Sequence, residues 1–429
     1  MKILLVIVTL CSIQIVKSTF CYWNTGCPYK YFSTQTAYNS VRGDIRDSLV
    51  KLTGCEPVSI WGLVRHGQTN PGLDFGQHMK AALDLKDYVV DSYERGNCSL
   101  CAQDVENLRN WQVNKELFGK TSQLTKEGYE ESEGIGRRLK QAFPKLLAKL
   151  DKNDYQIRPA SGAWMADSAK AFVDGLYDRQ LTVQTPKTDF DILSPYATCK
   201  KYNDLKEDPK TYAESDKYMS SSDYLASKDR IQRRLGIDYP LTDTNITALW
   251  DLCRYTSSGL TGRLSPWCAL FTTEDLKVLE YIADLRHYYK SGYGTPISEL
   301  FGQITLTDLL RNFLDVKSGK GKKITTYVSH ATMMDMVYSA LKLFKDNAPL
   351  TGSKRKPDRK WRSSKIAVFS SNLMAVLNKC NKGTTNDYNV VFYLNEEPLQ
   401  SICKEGVCSW KEFEDKLSPF LNTNTDFCE

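Results

Sequence analysis

The 429-residue chain has no Gly/Ser/Pro-rich linker, no internal repeat and no low-complexity tract. Its composition, 41% hydrophobic and 25% charged, excludes a disordered chain. One large domain, or two intimately joined ones, follows. An excess of one charge is lacking too: 57 lysines and arginines face 51 acidic residues, a formal +6, too mild to argue for a nucleic-acid partner. No second CxxC accompanies Cys98 and Cys101, which disfavours a zinc site, and nothing calls for a metal or an organic cofactor. The chain ends "NTDFCE", with neither a retrieval tetrapeptide nor an apolar tail for a lipid anchor. No membrane anchor is expected, and oligomeric state is not legible.

What is present begins with "MKILLVIVTLCSIQIVKS". A lysine near the start, an apolar run from Ile3 to about Val16 and a small Ser18 read as a secretory signal, because the run is short for a membrane helix of ~20 residues. Residues 1–18 are expected to leave, with Thr19 as the mature start. Loss of Lys2 and Lys17 leaves 55 basic against 51 acidic residues, about +4. Cys11 leaves with them, and 12 of the 13 cysteines remain, an even number that predicts disulfides in an oxidising compartment. Cys403 and Cys408 flank the short turn "KEGV", and Cys253 and Cys268 form a second local candidate pair. Sequons at Asn97 and Asn245 permit glycosylation, and a secreted, extracellular protein is the expectation.

The chemistry centres on "WGLVRHGQTNPG", residues 61–72. "EPVSIWGLVRHG" reads as a buried strand that turns at Gly67, with a helical pattern following in "FGQHMKAALDLKDYVV". Arg65 and His66 then stand at the carboxyl end of a strand, above a helix N-terminus that favours anions. "ITTYVSHATMMDMVYSALKLF" repeats this order: a β-branched run from Ile324 to Val328, then His330, then an amphipathic helix. An imidazole is nucleophilic when its proton is held elsewhere, and a guanidinium with a second imidazole can neutralise phosphoryl oxygens. His66, Arg65 and His330 therefore suit phosphoryl transfer, with a small phosphorylated substrate or ligand as partner. His78 and His287 lie within helical patterns away from these strand ends and read as structural or solvent-facing. The basic cluster "SKRKPDRKWRSSK", residues 353–365, reads as a solvated loop before a strand.

Further stretches carry a resemblance. "LTKEGYEESEGIGRRLKQAFP" (124–144), "ADSAKAFVDGL" (166–176), "DLRHYYKSGYG" (284–294), "DRKWRSSKIAVFSSNLMAVL" and "VVFYLNEEPLQSIC", with Asn372 and Asn395-Glu396 in register, resemble segments of the histidine acid phosphatases, and within them the multiple inositol polyphosphate phosphatases. The separation of 264 positions from His66 to His330 is too large for the compact mutase-like branch, which shares the "RHGQT" wording. The resemblance implies an α/β fold, an α/β/α sandwich with a mostly helical cap. Residues 19–180 and 290–429 would form the core, and 181–289 the cap. It also implies His66 as nucleophile, with Arg65 and His330 as phosphate-binding groups.

Three other positions depart from that pattern. The motif's second arginine is Thr69, a further phosphate-clamping arginine is Trp164, and the acidic proton donor two places after the distal histidine is Thr332. Each missing donor typically costs ~10²–10³ in rate, and a missing general acid ~10²–10⁴. A loss of about a thousandfold or more is therefore expected. Thr69 can supply one neutral hydrogen bond to phosphate. Asp335, three residues past Thr332 on a helix, is a candidate proton donor, although a surface aspartate is the plainer reading. Lys80 or the basic residues of 354–362 are candidate replacement charges. The sequence thus leaves two readings: a secreted phosphomonoesterase of reduced activity that forms a phosphohistidine, or a catalytically silent phosphate- or partner-binding protein on the same fold.

Overall fold

The computed structural model describes residues 21, 28–177, 181–257, 265–382, 385–403 and 406–428. The expected signal segment, with its cleavage site and Cys11, lies outside these residues. A mixed sheet runs in the order β2-β3-β1-β4-β5-β6, where β1 is Cys55–Arg65, β2 Tyr155–Pro159, β3 Ile324–Ser329, β4 Asn372–Lys382, β5 Thr385–Leu394 and β6 Glu397–Pro398. A short β7, Val407–Ser409, pairs with β5. β2, β3 and β1 are mutually parallel, and β4 returns antiparallel beside β1.

The sheet is sandwiched because its residues alternate between two cores. Along β1, Trp61 and Leu63 point into one hydrophobic cluster, while Ile60 and Val64 point into the other. β3 divides the same way, with Tyr327 on one side and Ile324 and Val328 on the other. β4 and β5 follow, with Leu373, Ala375 and Phe392 against Met374, Val376 and Val391. A parallel segment needs cover on both faces. On one face lie helices α2 (Lys126–Ala142) and α3 (Ala163–Tyr177), which supply Ile135, Leu139, Ala169 and Phe172. On the other lie α6 (Ile297–Lys317), α7 (Ala331–Ala340) and α8 (Trp410–Leu417). The architecture is the α/β/α sandwich expected from the sequence.

Helix α1, Leu73–Ala81, follows the loop after β1. Between Leu181 and Ser291 the described residues form helices and no strand, among them α4 (Asp243–Thr256) and α5 (Thr273–Ser291). α5 opens with a capping box in which Thr272 and Asp275 satisfy each other's backbone N–H groups. The segment 353–365 is no solvated loop. Arg359 is buried between Glu280 and Asp284 of α5 at 2.8 and 2.7 Å, and Arg362 also binds Glu280. Arg355 pairs with Asp223 and Glu274. Guanidinium groups can be buried when carboxylates satisfy them, and these bonds fix α5 over the sandwich.

The chain crosses back at Asn395-Glu396, both with positive φ (50° and 69°), which join β5 to β6 as a two-residue hairpin. Glu396 is buried, held by Arg138 at 2.6 Å and by the Tyr38 hydroxyl at 2.8 Å. The disulfides Cys253–Cys268 and Cys403–Cys408 form as expected, and three long-range ones join Cys21–Cys101, Cys55–Cys380 and Cys199–Cys428. Cys98 has no disulfide partner among the described residues, and Cys27 lies outside them. No helix among the described residues is long and apolar enough to cross a membrane.

Candidate active site

The sheet register brings the two histidines together. β1 and β3 pair residue for residue, ending with Arg65 opposite Ser329, so His66 and His330 follow side by side at the carboxyl ends of adjacent parallel strands. Their ring centroids are 5.9 Å apart. The His66 backbone is fixed from both sides, since its N–H donates to the Ser329 carbonyl and its own carbonyl accepts from Ser370 N–H, each at 3.0 Å. His330 is the N-cap of α7, which adds free backbone N–H groups and the positive end of a helix dipole.

One bond determines the tautomer of His66. Its Nδ1 lies 2.8 Å from the Gly67 carbonyl, which can only accept, so Nδ1 carries the proton and Nε2 keeps its lone pair. Burial, then Arg65, then His330 hold the proton affinity of His66 well below the usual imidazole range. Burial, Arg65 and Lys290 lower that of His330 to about 4. Both rings are neutral at neutral pH. Burial depresses Arg65 to about 10, so it stays charged. The Arg65 guanidinium stacks on Phe369 at 4.4 Å and donates from one terminal nitrogen to the Thr34 and Ala367 carbonyls. Its buried Nε has no hydrogen-bond partner among the described residues.

Two helices shape the loop beneath. Thr125 N–H donates to the Gln68 carbonyl at 2.8 Å, and the Thr125 side chain caps α2 through Gly128 N–H. Gly67 and Gly128 meet backbone to backbone: a Cβ on Gly128 would lie 2.2 Å from the Gln68 carbonyl oxygen. Only glycine permits this approach. From α3, Ser168 Oγ accepts the Gly67 N–H at 3.1 Å. Trp164, one turn earlier, sets its indole against both histidines, with centroids 6.4 Å from His66 and 6.2 Å from His330.

Beside this cluster lies a cavity of about 200 Å³. Thr34, whose carbonyl binds Arg65, lines it together with Arg254 of α4 and Arg286, His287 and Lys290 of α5. Arg254 is oriented by Asp251 at 2.7 Å and stacks on Trp250. Arg286 and Lys290 line the cavity with no carboxylate within ion-pair distance among the described residues. His287 Nδ1 lies 2.9 Å from the Asp335 carboxylate.

Residues 59–395 match the family described as histidine phosphatase superfamily (branch 2). The chain belongs to that superfamily. It is 28% identical to multiple inositol polyphosphate phosphatase 1 of Drosophila melanogaster over 438 residues, covering 98% of this chain and 92% of that protein. The human protein of the same name is 24% identical, with 93% and 88% covered. Among solved structures, the phytase from D. castellii matches with a TM-score of 0.72 at 17% identity, covering 95% of this chain and 91% of that one. Bifidobacterium longum multiple inositol polyphosphate phosphatase, solved with inositol hexasulfate, matches at 0.63 and 13% identity, with 86% and 92% covered. These two share the fold.

Within this histidine phosphatase, Arg65, His66 and His330 lie together at the ends of β1 and β3. Thr69 is buried, and its backbone bridges Leu124. The Thr332 side chain faces the Tyr202 hydroxyl. Asp335 is neither a surface residue nor open to a leaving oxygen: it is fully buried, and one oxygen accepts from both His287 and Ser291. The candidate replacement charges also fall elsewhere. Lys80 is exposed on α1, and Arg355, Arg359 and Arg362 are bound by acids of the helices. His78 is exposed, whereas His287 is turned into the cavity. Sequence reasoning missed Arg254, Arg286, His287 and Lys290. The spacing of Arg286 and Lys290, four apart just before "SGYG", places them on one helical face.

Proposed function

We propose that the protein is a secreted phosphomonoesterase, acting through a phosphohistidine on His66 and working well below the rate of a relative with an intact site. The observation that carries this reading is the fixed His66 tautomer, with a free Nε2 beside His330. His66 Nε2 attacks phosphorus in line, and the ester oxygen departs. Water then releases phosphate from the histidine. Arg65 Nε, the α7 N-terminus and His330 receive the phosphoryl oxygens, with Thr69 as a neutral donor, and the incoming dianion draws the depressed His330 back toward its charged form. Oxidised cysteines and the N-terminal apolar segment support export, and exposed Asn97 is open to glycosylation.

The helical stretch 181–289 acts as the cap and, with the last turn of α5 that runs on to Ser291, supplies substrate charge. Arg254, Arg286 and Lys290 favour a substrate with several phosphates, which is consistent with relatives named for inositol polyphosphates and phytate. The alternative of a silent binding protein draws on Trp164, whose apolar ring borders both histidines where the family pattern has an arginine. Phosphate release from inositol hexakisphosphate and an aryl phosphate between pH 4 and 8 tests the choice. Release that vanishes in His66→Ala supports the enzyme; equal release from both proteins sinks it.

A further inference from the structure

Loss of the acid at Thr332 leaves the leaving oxygen without a proton source at the usual place. We infer that His287, held by Asp335, is the proton donor in this chain. The inference rests on the phosphomonoesterase reading and adds a catalytic residue to it.

The geometry is that of an oriented imidazole. His287 projects from α5 with 18% of its side chain exposed, at the wall of the cavity that Thr34, whose carbonyl accepts from Arg65, also lines. Its Nδ1 lies 2.9 Å from an Asp335 oxygen, and Asp335 is entirely enclosed. An ionised carboxylate only accepts, so it fixes the proton on Nδ1 and leaves Nε2 as the exchangeable atom at the cavity. The same Asp335 oxygen accepts from Ser291 Oγ at 2.9 Å, which locks its orientation. Asp335 stands on α7, five residues past His330, so one helix carries both the phosphate-binding histidine and the residue that positions the acid. Asp335 bonds His287 from α7, and Arg286 and Lys290 on its own helix and Arg254 on α4 line the same cavity.

The step balances. As the bond from His66 Nε2 to phosphorus forms and the ester P–O bond breaks, the departing alkoxide takes the proton from His287 Nε2, and the imidazolium becomes neutral. In the second step neutral His287 Nε2 accepts a proton from water while the water oxygen attacks phosphorus. The P–N bond breaks, its electron pair returns to His66, and phosphate leaves with His287 again protonated.

An acid matters most where the leaving group is poor. Wild type, His287→Gln, Asp335→Asn and His66→Ala are compared on p-nitrophenyl phosphate, whose leaving group needs little protonation, and on glycerol 2-phosphate, whose leaving group needs it fully. His287→Gln is expected to lose ~10² or more in kcat on the alkyl ester and only a few-fold on the aryl ester. Asp335→Asn, nearly the same shape, is expected to show the same asymmetry more weakly and carries the test if His287→Gln does not fold. Equal losses on both esters, or none on the alkyl ester, would overturn the inference while leaving the nucleophile intact. No His66-dependent hydrolysis of either ester by wild type would overturn the phosphomonoesterase reading and this inference with it.

Discussion

Trp164→Arg supplies the side chain that the family pattern has just before Asp167-Ser168-Ala169, on the first turn of α3. The indole centroid lies 6.4 and 6.2 Å from the two histidine rings, so a guanidinium in its place reaches the space where a phosphoryl group must sit. At an effective dielectric constant of about 20, a unit charge about 5 Å from an oxyanion is worth about 3 kcal/mol. Part of that binds ground state and transition state alike and raises affinity only. The expected gain is ~10²-fold in kcat/KM on both phosphate esters, in line with the effect of one preorganised donor. Removing two edge-on ring contacts costs about 1–3 kcal/mol of stability, so thermal unfolding is followed in parallel. The assay is steady-state kinetics of wild type, Trp164→Arg and the double variant with His66→Ala. A folded Trp164→Arg protein with unchanged kcat/KM would refute the reasoning, because Trp164 would then not occupy the position of a missing clamp. A gain that survives in the double variant would refute it equally.

Other consequences are measurable. Burial pushes Glu131 up to about 7 from 4.5, so the folded state keeps a proton that the unfolded chain releases between these values, and stability falls as pH rises through that window. Glu131→Gln removes the effect and is expected to be up to about 3 kcal/mol more stable than wild type at pH 8, with little difference at pH 4.5; parallel denaturation curves would contradict this. Gly128→Ala places a Cβ 2.2 Å from the Gln68 carbonyl oxygen, so it is expected to lose about 1–3 kcal/mol of stability together with most phosphate release. Arg286→Ala and Lys290→Ala are each expected to raise KM for inositol hexakisphosphate by about 1 kcal/mol, or ~5-fold, more at low salt than at high salt, and to leave KM for the aryl ester nearly unchanged.

Much of the frame was legible in the sequence because it rests on local pattern. The β-branched and apolar runs ending at Arg65 and Ser329 are strands, and the helices after Gly72 and His330 begin where the pattern changes. Cys403–Cys408 and Cys253–Cys268 were legible because they close short segments, whereas Cys55–Cys380 depends on the pairing of β1 with β4. The residues 353–365 misled because charge density alone does not reveal acids on a distant helix: Glu280 and Asp284 precede Arg359 by 79 and 75 positions. Asp335 misled differently. Its helical position was foreseen, but its burial follows from α5 packing across α7, which also turns His287 toward the cavity. Arg254, Arg286 and Lys290 meet only because α4 and α5 come together around one cavity.

The central claim is that His66 is a working nucleophile. Rapid mixing of the protein with p-nitrophenyl phosphate, an alkaline quench and peptide mass analysis would test it most directly. The account predicts a phosphoryl group on the peptide carrying His66, located on that ring, formed in the first turnover and absent from His66→Ala. Phosphate release by wild type with no phosphorylated His66 at any quench time, or an adduct that persists in His66→Ala, would contradict it.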